Sequence, residues 1–177
     1  MVTPAYRLNI LGFFALDAGS SQGNYGLLDQ VAALEWVNDK ISEFGGSKED
    51  ICIMGHGAGA TSVGLHMISP LSKGKFKRAI AMSGSAFSTS VSSVPDVQPY
   101  QAIKLSFCED SKSNKDFLVC LRNLEALPLV KYAWNKYEWG PVVDVKDKFL
   151  PRQPEDYFQA AEYHKVCSLN FNATYFI

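Results

Sequence analysis

Apolar residues at Leu27, Leu28, Val31, Leu34, Val37 and Ile41 recur at intervals of three and four, which places them on one face of a helix. The run stops at Gly45-Gly46, as a helix terminus should, so the pattern predicts an amphipathic helix over residues 27–44. A short polar turn, Ser47-Lys48-Glu49-Asp50, then feeds the apolar run Ile51-Cys52-Ile53-Met54, which reads as a strand. A glycine-rich turn follows, and residues 57–68 read as a second helix stopped by Ser69-Pro70. After the charged loop Lys73-Gly74-Lys75, the unbroken apolar run Ala79-Ile80-Ala81-Met82 has the character of a strand buried on both faces. Strand, helix and strand in alternation predict an α/β fold: a parallel sheet covered by helices.

The flanks are less regular. Residues 2–14 combine a strand-like apolar start with Pro4 and an aromatic patch at Phe13 and Phe14, and a glycine- and serine-rich loop follows over residues 18–26. Serine and proline dominate residues 83–99, which read as a surface excursion. Helices are expected over residues 100–107 and 115–123, and the tail over residues 163–177 reads as a strand and the loop leaving it. No internal repeat is visible.

At 177 residues and 47% apolar content, the chain has the length and composition of one globular domain with a sizeable core. A formal charge of -1, with lysine and arginine scattered, gives no electrostatic footprint for nucleic acid or an anionic membrane. No apolar run reaches the ~18 residues a membrane span needs. The first residues lack the charged start and apolar stretch of a signal peptide, so any anchor or export signal would lie outside this sequence. The four cysteines match no zinc spacing. Cys52 and Cys167 sit in apolar stretches and are expected to be buried free thiols. Cys108 and Cys120 flank the polar loop 109–116, where they could form a bridge or stay reduced.

Candidate chemistry centres on Met54-Gly55-His56-Gly57-Ala58-Gly59. A strand running into a glycine-rich turn and then a helix is the layout of a nucleophile elbow, whose Gly-x-Ser-x-Gly core holds a serine in strained geometry above a sheet. Here the central residue is Gly57, which has no side chain and cannot form an acyl-enzyme. His56, at the variable position before it, is expected to point into neighbouring protein. Ser83 and Ser85 read as packing residues at a strand end. His66 in the helix and His164 in a polar stretch have no partner that the pattern reveals. Glu109 with Asp110, and Lys146 with Asp147, read as solvated loop charges.

Several segments together resemble the cholinesterase and type-B carboxylesterase branch of the α/β-hydrolases. They are Tyr6-Arg7-Leu8-Asn9 with Leu11-Gly12-Phe13, Gly23-Asn24-Tyr25-Gly26-Leu27-Leu28-Asp29-Gln30, Trp36-Val37 with Phe44-Gly45-Gly46, and the elbow itself. Further along come Phe76-Lys77-Arg78-Ala79-Ile80, Ser83-Gly84-Ser85, Cys120-Leu121-Arg122 and Gly140-Pro141-Val142-Val143-Asp144. The resemblance covers nearly the whole chain in order and implies that residues 1–177 are an internal part of that domain. A glycine-rich oxyanion segment would lie upstream and the catalytic histidine downstream. Such a piece is expected to expose sheet edges and to fold poorly in isolation.

Catalysis in that family needs serine, histidine and glutamate, because the hydroxyl is nucleophilic only when an oriented neutral imidazole takes its proton. The resemblance places Gly57 at the serine position and Asn172 at the acid position, and leaves the Ala58 amide as a residual oxyanion donor. Asn172-Ala173-Thr174 is also an N-x-[ST] sequon, so Asn172 is a candidate glycosylation site as well.

The family includes members without the serine that act in cell adhesion, of the neuroligin, neurotactin, gliotactin and glutactin types, and this elbow looks like theirs. The leading expectation is thus a non-catalytic, extracellular or cell-surface domain that binds another protein. No cofactor and no metal are implied, and any dimer contact is expected outside this segment. A bridge between Cys108 and Cys120 would fit an oxidising compartment. The alternatives are a working type-B carboxylesterase with an aberrant residue at Gly57, and a secreted structural or matrix protein that keeps only the fold.

Overall fold

The computed structural model describes residues 1–16, 21, 23–88, 97–134, 136–144 and 149–171. Seven helices and three strands lie in these segments, in the order α1 (Asn9–Phe13), α2 (Tyr25–Lys40), β1 (Cys52–His56), α3 (Ala58–Ile68), β2 (Arg78–Met82), α4 (Val97–Phe107), α5 (Asn114–Asn123), α6 (Ala126–Ala133), α7 (Pro154–Gln159) and β3 (Cys167–Phe171). The strands form one parallel sheet in the order β1-β2-β3, with Cys52, Arg78 and Cys167 in register across it. The predicted parallel α/β arrangement is therefore what the chain adopts.

The predicted helix over residues 27–44 is α2 followed by a short 3-10 turn, Ile41–Phe44. It ends where Gly45 takes φ 77° and its N–H turns back to the Ile41 and Ser42 carbonyls, a left-handed cap that suits glycine. Leu27 and Val31 of α2 pack with Leu65 and Ile68 of α3 and with Phe149, Leu150 and Tyr157. On its other side α3 presses Ala60 and Val63 onto Ala79 and Ala81 of β2. A third cluster joins Ile10, Phe14 and Leu16 to Ile103, Phe117, Leu129 and Ala133 from α4, α5 and α6. Cys108 and Cys120 are bridged, with Cα atoms 6.0 Å apart, and tie the end of α4 to α5. Ser113 caps α5 by accepting the Asp116 N–H at 3.1 Å.

Several expectations need correction. The apolar start is not a strand: residues 9–13 form α1, because Ile10 and Phe14, four apart, both enter the third cluster, as one helical turn allows and an alternating strand does not. β2 is not buried on both faces. Ala79 and Ala81 lie under α3, whereas Arg78 is exposed and Ile80 and Met82 are half-buried, since no described element covers the opposite face. That open face also explains why Cys52 and Cys167 are exposed free thiols and not buried ones. Met54 and Leu169, on the same face, are 57% and 54% exposed. α4 begins at Val97, ahead of the expected Tyr100. Helices α6 and α7 were not anticipated; each carries a proline in its first turn, Pro128 and Pro154, where proline is tolerated.

Candidate functional site

The end of β1 and the start of α3 meet at Gly57, whose φ of 57° and ψ of -118° lie in a region that a residue with a side chain enters only under strain. Its N–H donates to the Met82 carbonyl of β2 at 2.9 Å, and its own carbonyl accepts from Thr61 N–H at 3.0 Å. The apex is thus tied to the neighbouring strand and to the first turn of α3. Two further glycines make the turn possible. A Cβ on Gly55 would run into the Gly59 carbonyl and sit 2.8 Å from the Ala60 nitrogen, and one on Gly84 would sit 2.5 Å from the Gly57 carbonyl oxygen. A Cβ on Gly57 itself would meet nothing within 4 Å.

This geometry separates space from strain at the apex. Replacing Gly57 with serine is expected to introduce no clash but to destabilise the protein by about 1–3 kcal/mol through backbone strain alone. Chemical denaturation of the two proteins checks this; an unchanged or raised midpoint would contradict it.

The other candidate residues separate. His56 is exposed, and does not point into neighbouring protein, because it lies on the open face of the sheet. Ser83 adopts φ 55° in the turn after β2, and Ser85 Oγ accepts the Phe87 N–H at 3.2 Å. Neither has an imidazole or carboxylate among its hydrogen-bond partners in the described residues. Ala58 is the first residue of α3, so its N–H is one of the first-turn donors without an acceptor inside the helix. Glu109 and Asp110 are exposed, as expected. Asn172, with its sequon, and Lys146 and Asp147 lie outside the described residues.

His66 is not partnerless. It is 4% exposed. Its Nδ1 lies 2.7 Å from Ser72 Oγ, its Nε2 lies 2.9 Å from Gln30 Oε1, and the Phe149 ring meets it edge-on at 5.0 Å. An amide oxygen can only accept, so Nε2 carries the proton and Nδ1 accepts from the Ser72 hydroxyl. Burial, aided by the charge of His164, pushes the imidazole down to about 4. A serine, a histidine and a carbonyl oxygen in line have the form of a nucleophile, base and orienter, but Ser72 is fully buried and no substrate reaches it. His164 lies half-buried in its polar stretch, with Glu162, Tyr163 and Lys165 beside it exposed. Its ring lies 5.9 Å from Phe76, its backbone N–H donates to the Met67 carbonyl at 2.8 Å, and burial first, then Lys73, lowers its pKa.

Beside the elbow opens a pocket of about 400 Å³, walled by Phe13, Ala58 and Thr61 on one side and Trp134, Tyr137 and Trp139 on the other. The second wall was missed, because aromatic residues in an irregular segment carry no periodic signal. Asn24 anchors the chain just after that wall: Nδ2 donates to the Val142 carbonyl at 2.7 Å and to Asp144 Oδ2 at 2.9 Å, while Oδ1 accepts the Val142 N–H at 2.9 Å. The arrangement offers an apolar, aromatic cavity and main-chain donors, with no nucleophilic side chain at the apex.

Among the described residues, no group of three or more His, Cys, Asp or Glu side chains is placed to hold a metal. No described helix is long and apolar enough to cross a membrane.

The model of the carboxylesterase family matches residues 1–170. The chain is 37% identical over 171 residues to acylcarnitine hydrolase of Mus musculus, covering 96% of this chain and 30% of that protein. It is 42% identical over 162 residues to esterase E4 of Myzus persicae, covering 85% of this chain and 29% of that protein. Neuroligin-2 of Mus musculus is 39% identical over 171 residues, covering 92% of this chain and 20% of that protein. The chain thus spans a third or less of each of these relatives. With a parallel sheet flanked by helices and a match along almost its whole length, the chain belongs to the carboxylesterase family and carries part of an α/β-hydrolase domain.

Proposed function

We propose that this chain is part of a non-catalytic, cholinesterase-like domain that serves as a protein-binding ectodomain at the cell surface. One observation carries the reading: the residue at the apex of the elbow is Gly57. In acyl transfer of this kind the apex must supply the nucleophile, and main-chain donors alone are insufficient. Enzymes that lose a triad member retain roughly 10³–10⁴-fold over water, far below ordinary turnover. The likeness to neuroligin-2 supports adhesion as the use, and the Cys108–Cys120 bridge supports an oxidising compartment. The position expected for the acid, Asn172, adds to the reading through the family resemblance and equally carries the sequon.

A second reading, carboxylic ester hydrolysis, is favoured by the relatives named hydrolase and esterase at 37% and 42% identity. Displaying the full-length protein on otherwise non-adherent cells separates the two. Aggregation with cells bearing a protein partner, without ester hydrolysis, is the expected outcome. Hydrolysis at an enzymatic rate, with no cell-binding activity, would overturn the proposal.

A further inference from the structure

Residues 160–166, the connection from α7 to β3, are docked onto α3 through a histidine. Ala161 takes φ 54°, a left-handed backbone that strains a residue with a side chain. Beyond it, the Glu162 N–H donates to the Tyr157 carbonyl at 2.8 Å, and the Glu162 carboxylate pairs with Arg152. His164 makes the contact with α3: its backbone N–H donates to the Met67 carbonyl at 2.8 Å, and its ring lies 5.9 Å from Phe76. Val166 then packs against the cluster that holds Phe76, Ala60 and Val63. The residue before Met67 is His66, in the last turn of α3, so two imidazoles stand at the end of one helix.

Among the described residues neither imidazole has a carboxylate partner. His66 faces the Gln30 amide of α2, the Ser72 hydroxyl and the Phe149 ring. His164 faces the Phe76 ring, with the Lys73 ammonium as the charge that bears on it and Lys165 beside it in the chain. The carboxylates of the surrounding elements are engaged elsewhere: Glu35 with Lys75, Glu162 with Arg152, and Asp144 with the Phe149 and Leu150 N–H groups. Glu155 and Asp156, in the first turn of α7, are exposed. His164 Nδ1 is buried and meets no hydrogen-bond partner among the described residues. An imidazolium carries a proton on both nitrogens, so charging this ring places a buried donor where it has no acceptor. Burial, then Lys73, accordingly disfavours the charged form of His164, and its charge in turn disfavours that of His66. The undocked segment takes up its proton near the ordinary value of 6.5 and the docked one only at lower pH. Docking is therefore fully favoured above 6.5 and is withdrawn as pH falls below it.

We propose that residues 160–166 are an acid-released latch. On acidification His164 takes up a proton and leaves Phe76 and the Met67 carbonyl for water. The connection swings about the strained Ala161 and uncovers Phe76 and the start of β3, while α2 and β1 stay folded. The latch reports passage from neutral surroundings to a compartment at about pH 5–6, and it calls on no residue of the elbow.

The test follows hydrogen exchange of the full-length protein by peptide mass spectrometry at pH 7.5 and 5.0, with labelling times scaled for the chemical exchange rate. A peptide covering residues 160–167 is expected to lose protection by about tenfold at pH 5.0, the effect of one proton over one pH unit, while a peptide from α2 stays more protected than it. His164→Phe keeps the ring against Phe76 and the backbone bond to Met67 but cannot titrate, and it abolishes the acid response. Lys73→Met, at an exposed residue, removes a cation that disfavours the imidazolium and reduces the response without touching the core. Equal protection of residues 160–167 at both pH values would overturn the proposal. So would an acid response that persists in His164→Phe or is unchanged in Lys73→Met. Exchange of the α2 peptide at the same rate as residues 160–167 would show that acid unfolds the whole domain and that no latch exists.

Discussion

Replacing Asp144 with alanine is expected to destabilise the protein by about 3–5 kcal/mol, since three buried donors lose their acceptor at roughly 1–3 kcal/mol each before relaxation. Asp144 is 5% exposed. Its Oδ1 accepts the Leu150 N–H at 2.7 Å, and its Oδ2 accepts the Phe149 N–H at 3.1 Å and the Asn24 side-chain amide at 2.9 Å. Burial pushes its carboxyl upward, and these bonds, that from Asn24 foremost, oppose the shift. The loss would not stay local. Phe149 and Leu150 are fully buried against Leu27 and Leu65, and the same Asn24 that binds Asp144 also binds Val142, the residue after Pro141 of the pocket lining. Urea denaturation should show a midpoint lowered by about 2 M, for a slope near 2 kcal/mol/M. A change under about 1 kcal/mol would mean that water replaces the carboxylate, and the carboxylate would then not be what anchors the chain after the wall.

The second large effect is on pH. The unfolded chain takes up a proton at His66 near the ordinary value of 6.5, whereas the folded chain does so only at about 4. The stability this residue contributes is therefore complete above 6.5, is withdrawn as pH falls from 6.5 to about 4, and changes no further below that. At 1.36 kcal/mol per unit, the loss is roughly 3 kcal/mol. His164, also lowered, acts in the same direction. The contribution is isolated by comparing the natural protein with His66→Gln. In denaturation series from pH 7.5 to 4, the slope of stability against pH should be about one proton steeper in the natural protein. Equal slopes would show that the imidazole is not held neutral by its burial between Ser72, Gln30 and Phe149.

What the sequence made legible follows from the range of the interactions involved. The helix α2, its stop at Gly45, the strand β1 and the turn into α3 all rest on residues close along the chain, and the pattern predicted each. Gly57 was found for the same reason, because an elbow is a local motif. The pocket wall was not found. The anchor just after it depends on Asn24 and Asp144, 120 residues apart, and no periodicity links them. Burial of the two free cysteines was misjudged because an apolar strand reads alike whether one face or both are covered. α1 was misread because five residues are too few for the periods of helix and strand to differ. His66 gave no sign of its partners, since Gln30 lies 36 residues before it and on another helix.

The central claim is that the elbow keeps its geometry without its chemistry. The most direct test measures hydrolysis of a short-chain p-nitrophenyl ester by the full-length protein, with peptide mapping of residues 51–68 after organophosphate treatment. The account predicts hydrolysis no faster than a matched non-enzymatic protein and an unmodified elbow peptide. Turnover in the ordinary enzymatic range of about 1–10³ s⁻¹, with an adduct on that peptide, would contradict it.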